Sequence, residues 1–129
     1  MPAAVLVVHD DRDVRDLVVV ALRAAFIEAV GFEDPMAALD AIEKAGSRVR
    51  VLVTRVAFKP GKPNGIALAR MVRLKRPGTK VVFVAREEYA PQAEGLGVFL
   101  PRPLHPDILV ATVSRLLATW DQEEAATDE

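Results

Sequence analysis

Three short runs dominated by apolar residues constrain this chain most: Ala4–Val8 (Ala-Val-Leu-Val-Val), Val49–Thr54, and Lys80–Ala85 (Lys-Val-Val-Phe-Val-Ala). A strand with one wet face alternates apolar and polar residues. Runs this continuous belong to strands buried on both faces. Such a sheet needs helices above and below it, and the segments between the runs have helical spacing. Val14 to Phe26 places Val14, Leu17, Val18, Ala21, Leu22 and Ala25 on one face, with Asp10, Asp11 and Asp13 near its start, where carboxylates suit the helix dipole. Pro35 opens a second helix through Met36, Leu39, Ala41 and Ile42, which Gly46 closes. Ile66–Leu74 forms a third, and Pro106 starts a last one through Leu109, Val113, Leu116 and Leu117 to about Trp120. Ile27–Phe32 and Gly97–Leu100 read as two weaker strands, and the turn-rich stretch Phe58–Gly65 as a loop.

Strands alternating with helices predict a parallel α/β sheet, doubly wound and five-stranded, with right-handed crossovers. The 129 residues suffice for one domain, and the balance of 51% hydrophobic to 27% charged residues is that of a globular chain. The expected division is a domain over 1–120 and an acidic, disordered tail over 121–129, where five acids stand without a base. No apolar run approaches the ~18 residues of a membrane span. Met1-Pro2-Ala3-Ala4 lacks the positive stretch of a signal peptide, so a cytoplasmic protein is expected. With no cysteine, disulfides, cysteine-based zinc sites and thiol catalysis are excluded, and two distant histidines make a poor metal cluster.

Charge is unevenly distributed. Twelve Lys or Arg and no acid lie between Lys44 and Arg86. The simplest reading spreads these bases over several solvated faces. The alternative is a surface for an acidic partner or nucleic acid. Against nucleic acid stand a pI near 6.1, 5% aromatic residues and no helix-turn-helix pattern.

In doubly wound sheets chemistry sits beyond the carboxyl ends of the strands. Those ends read His9-Asp10-Asp11, Arg55-Val56-Ala57-Phe58, Ala85-Arg86-Glu87 and Pro101-Arg102-Pro103. Together with Val5–Asp11, Val51–Val56, Pro60–Leu68 and Phe99–Leu104, they make the chain from about Val5 to Leu117 resemble the receiver domain of two-component response regulators. The resemblance implies a flavodoxin-like fold and a pocket with two metal-holding acids after strand one and a phosphoacceptor Asp ending strand three. It also implies a Thr or Ser ending strand four and a Lys before a cis-proline after strand five. Phosphoryl transfer there works by positioning and by neutralising anionic oxygens with Mg²⁺.

This sequence departs from that pattern. His9 stands at the first acid position and Asp10 keeps the second, with Asp11 beside it. The acceptor position falls on Arg55 counted forward, or on Val56 or Ala57 counted backward, and none is an acid. The hydroxyl position is Ala85, or Val84 in a shifted register, and the Lys becomes Arg102. Pro103 is retained, so a cis Arg102–Pro103 bond is implied by the resemblance. Only Arg86–Leu96 separates strands four and five, so the fourth helix is expected to be short or missing.

An arginine beside the acids opposes Mg²⁺, so no metal site is expected, with Asp10 and Asp11 the only weak candidates. Arg55 or Arg102 bridging to Asp10 or Asp11 would take the cation's place. His9 reads as a polar cap on the strand end before it reads as a titratable switch. No Gly-rich phosphate loop follows strand one and no Gly-x-Ser-x-Gly elbow occurs, so no catalytic residues and no cofactor are assigned. The resulting reading is a stand-alone, degenerate receiver without its phosphoacceptor Asp, acting through a protein partner such as a histidine kinase or another regulator. Three alternatives remain: a receiver phosphorylated on Asp10 or Asp11 with Mg²⁺, a binder of an acidic partner or nucleic acid through the basic segment from Lys44 to Arg86, or a piece of a larger protein. The oligomeric state stays open, a dimer included.

Overall fold

The computed structural model describes residues 4–45, 48–58 and 64–127. Five strands form one parallel sheet in the order β2-β1-β3-β4-β5: β1 (Val5–Val8), β2 (Ala29–Phe32), β3 (Val51–Thr54), β4 (Lys80–Ala85) and β5 (Val98–Pro101). The helices are α1 (Arg12–Ala24), α2 (Pro35–Ala45), α3 (Gly65–Lys75), α4 (Ala90–Ala93) and α5 (Pro106–Thr127). This is the doubly wound, flavodoxin-like arrangement that the apolar runs predict. The fourth helix is one turn long, preceded by a 3-10 turn at Glu87–Tyr89.

Burial on both faces follows from strand alternation. Leu6, Val8, Leu52, Val81 and Phe83 point to the side covered by Ala38, Ile42, Leu68, Ala69 and Val72 of α2 and α3. Val5, Val7, Val51, Val53, Val82 and Val84 face Val18 and Leu22 of α1 and Leu109 and Val113 of α5. No helix among the described residues is long and apolar enough to cross a membrane.

Several boundaries differ from the sequence reading. Gly65 is the first residue of α3 rather than the last of the loop, because the Asn64 side chain caps the helix by accepting from the Ala67 N–H at 2.8 Å. Residues 59–63 of that loop, and Gly46, lie outside the described residues. The helix read as running to Phe26 ends at Ala24, since the Phe26 and Ile27 N–H groups bond back to the carbonyls of Arg23 and Leu22. That Schellman pattern places Phe26 at φ 63° with its side chain 99% exposed, a left-handed position usually held by glycine.

The largest correction concerns the tail. Residues read as disordered from Asp121 onward continue α5 to Thr127. Their acids are not simply solvated: Asp121 pairs with Arg50 at 3.1 Å and Glu123 with Lys80 at 3.0 Å. Arg50 also lies over the Trp120 ring, 4.5 Å from its centroid. Composition alone described a solvated, disordered end, while the fold brings Arg50 and Lys80 beside it.

Candidate functional site

β1 ends at Val8, and the chain then turns through three polar residues. The His9 N–H still bonds the Phe32 carbonyl at 3.0 Å, which holds the residue beside β2. His9 is 5% exposed, and its Nδ1 accepts the Asp11 N–H at 3.0 Å. An accepting Nδ1 carries no proton, so the neutral ring is protonated at Nε2. Burial, then the Arg55 charge, lower its pKa from 6.5 to about 4, with Arg102 adding to the effect against the opposing pull of Asp10 and Asp11. The 3.9 Å approach of His9 to Asp10 is therefore no ion pair at neutral pH. His9 acts as a buried cap on the strand end, and the Arg15 guanidinium clamps its carbonyl at 2.8 Å.

Asp11 is the N-cap of α1. Its Oδ1 accepts from the N–H groups of Asp13 and Val14 at 2.9 and 3.4 Å. Asp10 has a different partner. β1 and β3 pair with Val8 opposite Thr54, so the residues that follow emerge side by side. From there Arg55 Nη1 donates to Asp10 Oδ1 at 2.6 Å. The contact is single rather than a two-bond fork, and both side chains are largely sheltered, at 28% and 11% exposure. Burial alone would raise the Asp10 pKa, but the Arg55 hydrogen bond and charge hold it below the usual carboxylate value. Arg102 makes no ion pair with a described residue, and neither arginine bridges to Asp11.

The backbone beneath Arg55 is fixed from the opposite side. Gly65 donates its N–H to the Val56 carbonyl at 2.7 Å, and a Cβ on Gly65 would overlap the Arg55 carbonyl oxygen. Of the three residues between which the sequence did not choose, Val56 is buried in the core and Ala57 lines a cavity. Arg55 carries the group that meets Asp10.

That cavity, of about 240 Å³, opens at the carboxyl edge of the sheet among His9, Arg55, Ala57, Val84, Ala85, Arg86, Tyr89 and Arg102. Ala85 offers only a methyl group, and its carbonyl accepts the Arg102 N–H at 3.0 Å. The Arg102–Pro103 peptide is cis. The sequence reading places His9, Arg55, Ala85 and Arg102 at strand ends, and all four border the cavity. It assigns no role to Arg86 or Tyr89. Arg86 was legible as the first residue past β4, whereas Tyr89 depends on the tight turn there, which no local signal announces.

No protein-family model matches this sequence, and no curated protein matches it. Solved structures do. NtrX from Brucella abortus in complex with ADP superposes with a TM-score of 0.86 at 26% identity, over 99% of this chain and 30% of that one. This chain thus spans less than a third of that protein. The separate receiver domain of NtrX from Brucella abortus gives 0.80 at 27% identity, over 89% of this chain and 98% of that domain. The fold is that of response-regulator receivers. A BeF3-activated receiver domain, DrrB, shares the same fold at 24% identity, with a TM-score of 0.76 over 92% of this chain and 99% of that one. In the receiver fold the cavity of His9, Arg55, Ala85 and Arg102 lies at the carboxyl edge, where such sheets carry their ligand sites.

Proposed function

We propose that this chain is a degenerate receiver module of two-component signalling. It acts in the cytoplasm through protein–protein contacts, without aspartyl phosphorylation and without enzymatic activity of its own. The observation that carries the reading is the Arg55–Asp10 pair at 2.6 Å. A guanidinium from a residue lining the cavity stands against Asp10, where a receiver would need Mg²⁺. Mg²⁺ requires several oxygen ligands in near-octahedral order. Asp10 is committed to Arg55, Asp11 caps α1, and no group of three potential ligands occurs among the described residues. These residues do not fit the ion. A histidine kinase or another regulator is the expected partner. Nucleic acid is disfavoured, because Arg50, Lys75 and Lys80 already have acidic partners in Asp121, Glu43 and Glu123.

The test is an NMR titration with beryllium fluoride, a phosphoryl mimic, with and without Mg²⁺. The expected result is that adding Mg²⁺ changes nothing at Asp10, Asp11, Arg55 and Ala85. A Mg²⁺-dependent response at those residues would overturn the proposal and restore phosphorylation on Asp10 or Asp11.

A further inference from the structure

The cavity at the carboxyl edge is lined by three arginines, Arg55, Arg86 and Arg102, and by His9. Among the described residues no Asp or Glu lines it. Asp10, the nearest counter-charge, engages Arg55 through Nη1 alone, so the remaining donors of Arg55 have no acceptor among the described residues. Arg102 is tethered by its backbone to Ala85, and its guanidinium has no ion-pair partner among the described residues. Arg86 has only a distant contact with Glu88 at 4.0 Å, both side chains being mostly exposed. Because His9 Nδ1 accepts from Asp11, the other ring nitrogen presents an N–H. The wall thus supplies donors in excess and is short of acceptors.

We propose that this cavity is a metal-free binding site for a small phosphate-bearing molecule, held non-covalently by Arg102, Arg55 and Arg86. Guanidiniums match tetrahedral oxyanions by planar, two-point hydrogen bonding, and they supply the positive charge that a metal would otherwise provide. Ala85 and Ala57 leave room for the anion because neither side chain extends past a methyl group. Tyr89, partly buried against the core, adds an aromatic ring to the lining. The proposal rests on the metal-free reading of the site. It differs from receiver chemistry in that no bond forms and no proton or phosphoryl group is transferred.

The test titrates the intact protein with inorganic phosphate in the presence of a chelator, at constant ionic strength, following backbone amides and arginine side chains by NMR. Saturable shifts are expected at His9, Arg55, Ala85 and Arg102. Arg102→Gln should weaken binding by at least about tenfold, the loss expected for one charge-assisted hydrogen bond. Arg86→Gln should weaken it less, because that side chain is mostly exposed and lies near Glu88. A parallel titration with phenyl phosphate separates the two ligand sources: tighter binding than phosphate assigns an organic phosphomonoester, and equal binding assigns the free ion. Shifts that do not saturate, that scatter over the basic surface, or that survive Arg102→Gln would overturn the proposal. So would binding that requires Mg²⁺. The beryllium fluoride experiment fails separately: it can leave the module unphosphorylated while this site proves empty, or the reverse.

Discussion

The two edges of the sheet solve the same electrostatic problem differently. At the amino edge, Arg50, just before β3, and Lys80, the first residue of β4, reach Asp121 and Glu123, acids that arrive on the far end of α5. The acids of those pairs are more than half exposed and the bases about a third, so solvent shares in screening them. At the carboxyl edge, three arginines and one histidine share a cavity whose nearest acid is already committed. The first edge is balanced by long, replaceable surface contacts. The second depends on one sheltered pair and keeps an excess of positive charge. Receiver-like folds place their chemistry at the second edge, and the imbalance is confined to it.

The contrast can be broken most strongly at Arg55. Arg55→Ala leaves Asp10 sheltered without its partner and should cost about 3 kcal/mol in urea denaturation. Replacing both together, Asp10→Leu with Arg55→Met, should recover most of that loss, since an apolar pair of similar volume leaves no buried charge behind. If the double variant is as unstable as the single one, the pair contributes by packing and the electrostatic contrast fails.

A second effect belongs to pH. His9 titrates near 6.5 when unfolded and near 4 when folded. Between those values the unfolded chain binds the extra proton, so stability is fully present above pH 6.5 and is lost as pH falls toward 4. Asp10, whose pKa is also lowered, extends the loss in the same direction below the ordinary carboxylate value. A loss of about 2–3 kcal/mol from His9 is expected across that window, and His9→Asn should flatten it. An unchanged pH profile in that variant would show that the ring is not the group responsible.

Gly65→Ala comes next, at about 2 kcal/mol, because the new methyl group would push on the Arg55 carbonyl. The same variant should disturb the side-chain resonances of Arg55 and leave those of Arg50 in place. The amino edge should respond weakly. Asp121→Asn and Glu123→Gln are each expected to cost less than about 1 kcal/mol, a cost that fades at high salt. Phe26→Gly, also at that edge, should stabilise the protein by up to about 1 kcal/mol by relieving the left-handed backbone. Thermal unfolding measures both.

Most of this architecture was legible because burial on two faces writes itself into consecutive residues. Val5–Val8 and Lys80–Ala85 announce their strands with no help from the rest of the chain. The brevity of α4 followed from the few residues between β4 and β5. The partner of Asp10 was narrowed but not chosen, since Arg55 and Arg102 both stood at strand ends. Only the register of β1 against β3 decides between them. The end of α5 was misread for a related reason. Asp121 and Glu123 look solvated until Arg50 and Lys80, more than forty residues away in the chain, are brought beneath them. Which residues become neighbours across a sheet is a property of the pairing, and local composition does not carry it.

The Arg55–Asp10 pair also limits the routes open to drift. Arg55→Asp alone would exchange an attraction for two carboxylates facing each other at a sheltered position, with Ala85 offering no hydroxyl and His9 no charge in compensation. Building a cation-dependent site around these residues therefore needs several substitutions together, because Arg55→Asp alone is harmful.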